Sequence, residues 1–187
     1  MENKRLFISL AVEIDLVKQI FKEFSRLNVP TEKLRLVPAE NVHLTLKFLG
    51  DTPLDNLVPI IDILSEISPK FGQINLNLAK TQIFPKDPNS LARILNIALE
   101  PTPELNDLYE EIEESLWQNG LANRESRVFK PHLTIARVKK AAKFEEFQEF
   151  LDWPVKGEFS VDHLELQESI LGKKGPEYFV LNTFDLE

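Results

Sequence analysis

The feature that most constrains the fold is a short motif that occurs once in each half of the chain. Residues 41–50 read NVHLTLKFLG and residues 130–139 read KPHLTIARVK, so His-Leu-Thr followed by an aliphatic residue appears twice. His43 and His132 lie 89 positions apart in a chain of 187 residues that contains three histidines. The repeat predicts two related halves, with two of the three histidines at equivalent places.

Each copy of the motif alternates polar and apolar residues, which is typical of a β-strand with one packed face. Successive side chains of a strand point to opposite faces, so each histidine shares a face with the threonine two residues later. The polar faces are predicted to carry His43, Thr45 and Lys47 in the first copy and His132, Thr134 and Ala136 in the second.

The surrounding sequence repeats the order strand, helix, motif strand, helix, strand. Period-2 segments predict strands over 4–12, 42–49, 72–84, 91–99, 132–138, 157–171 and 177–186. Segments with helical spacing predict helices over 13–27, 53–67, 102–120 and 143–153. The pattern predicts an α+β fold and a single domain over 1–187, with approximate lobes 1–90 and 91–187 that face a shared cleft and between which strands can cross.

Composition narrows the class of protein. The chain has no cysteine, which excludes disulfides, thiol catalysis and cysteine-bound zinc or iron–sulfur sites. No apolar run approaches the roughly 18 residues of a membrane span. The net charge of −8 argues against coating nucleic acid over the whole surface, although residues 124–143 hold seven Lys or Arg residues against one acidic residue. We expect a soluble, cytoplasmic monomer with a local anion site and no membrane contact.

The paired motifs indicate acid–base chemistry on a phosphodiester. Of two neighbouring imidazoles, one can accept a proton from water while the other donates one to a leaving group, because histidine titrates near pH 6.5. Threonine hydroxyls can donate hydrogen bonds to phosphate oxygens in the transition state. A zinc site is a weaker reading, since no third and fourth ligand recurs near either motif at ligand spacing. His163 lies outside any repeated motif and is expected to be structural.

The segments HLTLKFLG and RVFKPHLTIARV resemble the two signature motifs of the 2H phosphoesterase superfamily. More narrowly, with RLFISL near the N-terminus and IFPK after the first lobe, the chain is similar to the RNA 2′,3′-cyclic phosphodiesterases, also called LigT-like proteins or 2′-5′ RNA ligases. The resemblance implies a bilobal α+β fold of two pseudo-symmetric lobes, each with an antiparallel sheet and flanking helices, and an active cleft between them.

The same resemblance implies that the protein opens a terminal 2′,3′-cyclic phosphate of RNA to a 2′-phosphomonoester, without a metal or cofactor, as the 3′ oxygen leaves. Its partners are then RNA 3′ ends or small nucleotides that carry a cyclic phosphate. His43 matches the proton donor, His132 matches the base that activates water, and Thr45 and Thr134 match the donors to phosphate oxygens. The two motifs comprise His43, Leu44, Thr45 and Leu46 in the first half and His132, Leu133, Thr134 and Ile135 in the second.

The resemblance is looser around the motifs. Arg127 and Lys130 match basic positions just before the second motif, where relatives often carry arginine, and Leu36 stands near a position where relatives often have tryptophan. Phe7 and Phe129 are candidates for stacking on a terminal base, with core packing as the alternative for both.

Three other functions remain open at this stage. The same transfer run backward, with a 5′-hydroxyl in place of water, is 2′-5′ RNA ligation. A phosphodiesterase for a small nucleotide, such as a cyclic phosphate of ADP-ribose or a 2′-5′ oligonucleotide, belongs to the same superfamily. A non-catalytic RNA-end binder is the alternative from another class, and the intact histidines and threonines argue against it.

Overall fold

A computed structural model describes residues 2–87, 89–172 and 175–187 of the protein. Within these ranges nine strands form one antiparallel sheet, and four α-helices and several 3₁₀ turns connect them. The strands are β1 (Asn3–Ala11), β2 (Leu34–Leu36), β3 (His43–Pro53), β4 (Ile74–Phe84), β5 (Ile94–Leu99), β6 (His132–Val138), β7 (Glu158–Val161), β8 (His163–Gly172) and β9 (Gly175–Asp185). The helices are α1 (Ile14–Phe24), α2 (Leu57–Ile67), α3 (Pro103–Gln118) and α4 (Gln148–Asp152).

The two motif strands are direct neighbours at the centre of the sheet. The strand order is β7-β4-β5-β6-β3-β1-β8-β9, and the short strand β2 pairs with β6 as well. At the seam between β3 and β6, Leu44 lies opposite Leu133 in antiparallel register. The predicted α+β class with antiparallel strands is confirmed, but the two halves share one continuous sheet.

Each half of the sheet contains strands from both halves of the sequence. β4 belongs to the first half of the sequence and pairs with β5 and β7 of the second. β8 comes late in the sequence and pairs with β1. The stretch 157–171, predicted as one strand, is therefore two strands at distant places in the sheet, with Asp162 between them.

Helix α3 illustrates how local signals position the elements. The hydroxyl of Thr102 accepts a hydrogen bond from the backbone N–H of Leu105 at 3.2 Å, and Pro103 occupies the first turn. Gly120 follows the helix with a φ of +67°, a conformation that favours glycine. The helix buries an apolar stripe, which includes Leu108 and Ile112, in the core. None of the helices in the described part of the chain combines the length and the apolar character that a membrane span needs.

Strand β3 contains a β-bulge inside the motif. Ile8 of β1 lies opposite Lys47, whereas the next residue, Ser9, lies opposite Thr45. Leu46 is therefore the extra residue on β3. Residues that oppose each other share a face of the sheet, so Lys47 shares the core face with Ile8 and Thr45 shares the other face with Ser9.

Strand β6 contains a bulge at the equivalent place. Leu95 of β5 lies opposite Ala136, and Asn96 lies opposite Thr134. Ile135 is the extra residue here, and Leu46 and Ile135 occupy the same position in the two motifs. The repeat in the sequence is thus also a repeat in backbone geometry.

The two bulges correct the predicted faces of the motif strands. The simple alternation placed Lys47 and Ala136 beside the histidines, but Lys47 is 6% exposed and Ala136 is fully buried on the core face. The extra residue reverses the alternation beyond it, so Phe48 and Arg137 come to the face that carries the histidines. We call this side of the sheet, defined by His43, Thr45, His132 and Thr134, the histidine face.

Candidate active site

The structure brings both histidines and both threonines together on the histidine face. The antiparallel pairing at the seam places His43 beside Thr134 and His132 beside Thr45. His43 is partly buried and His132 is exposed. The two rings are near enough that positive charge on His132 lowers the pKa of His43.

The two histidine rings are oriented in the same way. In each, Nδ1 lies 2.8 Å from the backbone carbonyl oxygen two residues earlier, which is that of Asn41 for His43 and of Lys130 for His132. A carbonyl oxygen only accepts, so Nδ1 of each ring carries the proton that it donates. When a ring is neutral, its Nε2 is then an unprotonated lone pair that can accept a proton.

Thr45 contacts the reactive nitrogen of His43. Its hydroxyl oxygen lies 3.0 Å from Nε2 of His43. Because Nδ1 holds the proton of the neutral ring, the hydroxyl of Thr45 donates this hydrogen bond. The same hydroxyl can turn toward a phosphate oxygen when a ligand is bound.

The environment of His43 favours its neutral form in the free protein. Burial is the largest cause that lowers the pKa of His43 from its ordinary value near 6.5, and the charges of His132 and Arg137 lower it further. The hydrogen bond to the carbonyl of Asn41 acts in the opposite direction and raises the pKa. The net result is a pKa below the ordinary histidine range.

An aromatic wall holds the ring of His43 in place. Phe7 is 1% exposed, and its ring stacks on that of His43 with centroids 5.0 Å apart. Tyr178 of β9 contacts both rings edge-on, at 5.1 Å from Phe7 and 5.4 Å from His43. The expectation that Phe7 stacks on a terminal base is therefore wrong in this structure, because the ring is sealed and positions His43 instead.

The other predicted residues line the approach to the second motif. Phe129 is partly buried and stacks on Tyr109, with centroids 4.1 Å apart and planes 9° from parallel, so one of its faces is covered. The guanidinium of Arg127 donates two hydrogen bonds to Glu125, at 3.1 and 2.8 Å. Lys130 is exposed, and its backbone carbonyl orients His132.

Two residues of the histidine face escaped prediction from the sequence. Phe48 is 70% exposed, with its ring centroid 5.9 Å from that of Phe7. Arg137 is exposed and near enough to His43 to lower its pKa. Both follow a bulge that simple alternation does not reveal, although their equivalent positions in the repeat were a usable signal.

Polar residues continue outward from each motif across the neighbouring strands. Cross-strand pairing extends the row from each threonine over the next two strands. The first row contains Thr45, Ser9 and Glu165, and the second contains Thr134, Asn96 and Gln82. The histidine face is therefore polar well beyond the motifs.

A cavity of about 120 Å³ adjoins His43 on the side of β8 and β9. Its lining includes the carboxylates of Glu40 and Glu165, the amide of Gln167 and the ring of Tyr178. Two carboxylates make this side of His43 unfavourable for a phosphate. In residues 2–87, 89–172 and 175–187, no group of three or more His, Asp or Glu side chains is placed to hold a metal ion.

A buried ion pair ties the segment before the second motif to β3. Lys47 Nζ lies 2.6 Å from Glu113 Oε1 of α3 and donates to the backbone carbonyl of Asn123 at 2.6 Å. Glu113 Oε2 accepts a hydrogen bond from the backbone N–H of Glu125 at 2.9 Å. Segment 121–131, which leads into His132, is thereby fixed to the strand that carries His43.

Comparison with known proteins places this geometry in a family. The family model described as the 2′-5′ RNA ligase superfamily matches residues 16–172. A protein of Archaeoglobus fulgidus named RNA 2′,3′-cyclic phosphodiesterase is 32% identical over 185 residues, which cover 97% of this chain and 99% of that protein. A Thermotoga maritima protein of the same name is 31% identical over 184 residues, which cover 98% of this chain and 96% of its own.

Solved structures agree with this assignment. A crystal structure of a Thermus thermophilus protein superposes with a TM-score of 0.83 at 25% identity, covering 97% of both chains. E. coli LigT complexed with 3′-AMP has the same fold, with a TM-score of 0.78 at 22% identity and 99% of both chains covered. The chain belongs to the 2′-5′ RNA ligase superfamily.

Proposed function

We propose that this protein opens terminal 2′,3′-cyclic phosphates of RNA to 2′-phosphomonoesters, with His43 and His132 as the acid and base. The observation that carries the proposal is the pair of imidazoles on one face, each held by a backbone carbonyl and each beside a threonine. The name RNA 2′,3′-cyclic phosphodiesterase, borne by relatives that align over nearly the whole chain, supports the same activity.

In the proposed reaction the cyclic phosphate lies between the two rings. Nε2 of His132 takes a proton from water as the water oxygen bonds to phosphorus. The bond from phosphorus to O3′ breaks, and His43 gives its Nε2 proton to O3′, which leaves a 2′-phosphomonoester and a 3′-hydroxyl. Thr45 and Thr134 donate hydrogen bonds to the nonbridging oxygens, where negative charge gathers.

Substrate binding supplies the proton that His43 needs. The lowered pKa of His43 in the free protein favours the neutral ring, which by itself does not suit a proton donor. A phosphate anion beside the ring raises the pKa, because an opposite charge within a few ångströms favours the protonated form. His43 therefore takes up a proton as the cyclic phosphate binds and returns it to O3′.

The basic and aromatic residues before the second motif contact the RNA strand in this proposal. Lys130 is exposed and adds positive charge, and Arg127 exchanges its hydrogen bonds to Glu125 for contacts to a phosphodiester. Phe129 offers the face that Tyr109 does not cover. The same geometry, with a 5′-hydroxyl in place of water, runs the transfer backward as 2′-5′ ligation.

A turnover assay tests the proposed activity. A short RNA that ends in a 2′,3′-cyclic phosphate is expected to gain one water and to yield a 2′-phosphate, as identified by mass and by ³¹P NMR. Activity is expected to persist in excess chelator, since the acid, the base and the oxygen donors are all side chains. A 3′-phosphate product, binding without turnover, or loss with chelator and recovery with zinc or manganese would each contradict the proposal.

The pKa of His43 gives a second prediction. In the free protein His43 is expected to titrate below the ordinary histidine range when followed by NMR, because burial and two neighbouring cations disfavour its charged form. Arg137→Gln removes one of those cations, so the pKa of His43 is expected to rise. Arg124→Gln, which removes an arginine bound to Glu114 of α3, is the control and leaves the pKa in place. An unchanged pKa in Arg137→Gln contradicts the assignment of Arg137 to the site.

A further inference from the structure

We propose that the histidine face binds the terminal nucleotide lengthwise, with the base stacked on Phe48 and the 5′-phosphate held by Arg137 and Arg35. This inference rests on the proposed function, since the cyclic phosphate is the group placed between His43 and His132. It goes further by assigning the orientation of the RNA and a second phosphate site.

The starting observation is where the repeat loses its symmetry. Phe48 and Arg137 occupy the same position in the two motifs, and both reach the histidine face after a bulge. β3 and β6 are antiparallel neighbours, so the chain runs from His43 toward one end of the seam and from His132 toward the other. Each of these residues lies about 13 Å along its strand from its own histidine, given a rise of about 3.3 Å per residue. The reacting centre therefore has an aromatic residue at one end and an arginine at the other.

The Phe48 end has the properties of a stacking platform. Phe48 is 70% exposed, while the ring beneath it, Phe7, is sealed and leans on His43. A single ring thus separates Phe48 from the catalytic imidazole. A nucleobase stacked on an exposed aromatic ring removes both from water and is stabilised by about 1–3 kcal/mol.

The Arg137 end has the properties of a phosphate site. Arg137 lies directly opposite Arg35 of β2, so the two exposed arginines share a face. Like charges placed directly opposite each other destabilise a strand pair, and a bound anion reverses that effect. Two guanidinium groups offer the fork of N–H donors that matches a phosphate. The guanidinium of Arg35 also reaches Gly175 of β9, where an added Cβ would lie 3.3 Å from Nη1, so this end of the face adjoins the β8–β9 hairpin.

The chemistry of a nucleotide matches this division. The base is attached at C1′ and the 5′-phosphate follows C4′, so both diverge to opposite sides of a cyclic phosphate that joins O2′ and O3′. With the cyclic phosphate at the centre, one end of the seam receives the base and the other receives the 5′-phosphate. The third direction, beside His43, contains Glu40 and Glu165 and repels a phosphate.

Three small substrates separate the two ends. They are a nucleoside 2′,3′-cyclic phosphate, its 5′-phosphorylated form, and an abasic ribose 2′,3′-cyclic phosphate. Phe48→Leu is expected to reduce the kcat/KM advantage of the base-bearing substrate over the abasic one by about 10-fold, as the stacking face is lost. Phe48→Trp is expected to increase that advantage.

The arginine variants are expected to affect the other ratio. Arg35→Gln and Arg137→Gln should each reduce the kcat/KM advantage of the 5′-phosphorylated substrate over the 5′-hydroxyl form by about 10-fold, because each removes a charged hydrogen bond. Trp117→Leu and Arg124→Gln alter an aromatic residue and an arginine that contact each other at α3, and they serve as matched controls with both ratios unchanged. Thermal unfolding of each variant identifies any loss that comes from folding.

The outcomes distinguish this inference from the proposed function. A protein that opens none of the three substrates, nor a cyclic-ended RNA, contradicts the proposed function. A protein that opens all three, with both ratios unmoved in the Phe48 and arginine variants, overturns the orientation alone. An exchanged result, in which Phe48 variants change the phosphate ratio and arginine variants change the base ratio, overturns it as well.

Discussion

Replacing His43 or His132 by alanine is expected to lower kcat for cyclic phosphate opening by roughly 10²- to 10⁴-fold in each case. Each ring is oriented by a backbone carbonyl so that Nε2 is available, and alanine removes the proton donor or the proton acceptor outright. His163→Ala is the matched control, because His163 is bound to Asp162 at 2.6 Å and lies outside both motifs. Full activity in either motif variant would remove the two-histidine mechanism.

The double variant His43→Ala, His132→Ala is expected to lose far less than the product of the two single losses. Acid and base act as one unit in a single proton-balanced step, and a unit that lacks one member gains little from the other. Single-turnover rates of the two single variants and the double variant measure this directly. Losses that multiply would show that the two rings act in separate steps.

A substrate with an acidic leaving group assigns the two roles. Such a group departs without a proton, so it is expected to restore part of the rate of His43→Ala and none of that of His132→Ala. This test carries weight because the pKa of His43 is lowered in the free protein, a property that by itself suits a base. Rescue of His132→Ala alone would mean that donor and acceptor are assigned the wrong way round.

Much of the fold and the core of the site could be predicted from the sequence, because the relevant signals are local. Alternation identified the motif strands, and the cap at Thr102 with Pro103 identified the start of α3. The repeated His-Leu-Thr indicated two equivalent strands, and the structure places them side by side. A repeat of this kind predicts pseudo-symmetry, and pseudo-symmetry brings the repeated side chains together at a shared seam.

The features that escaped prediction depend on register between distant strands. One extra residue at Leu46 and another at Ile135 reverse the alternation, which moves Lys47 to the core and Phe48 to the histidine face. Phe7 reads as an aromatic residue on an alternating strand, and only the arrival of Tyr178 from the far end of the chain shows that it is sealed. The same holds for β7 and β8, which are continuous in sequence but pair with opposite ends of the sheet.

The second large effect concerns stability and involves the residue that the first bulge buries. Lys47→Met is expected to lower the free energy of unfolding by about 3–5 kcal/mol, because it leaves the carboxylate of Glu113 buried without its cation. Lys47 and Glu113 are 6% and 4% exposed, so water does not replace the lost partner. Urea unfolding measures the loss. Lys70→Met is the matched control, since Lys70 pairs with Glu111 at 2.7 Å on the surface and is expected to contribute about 0–1 kcal/mol.

Removing both charges separates the stability of the fold from the geometry of the site. In Lys47→Met, Glu113→Leu no buried charge remains, so the free energy of unfolding is expected to recover toward that of the native protein. The ties to the carbonyl of Asn123 and the N–H of Glu125 are still lost, and they fix the segment whose last carbonyl orients His132. We therefore expect kcat to stay about 10-fold low in a protein of nearly restored stability, because a small displacement of a catalytic group is enough to slow the reaction. If kcat recovers together with stability, the ion pair serves the fold alone and does not position His132.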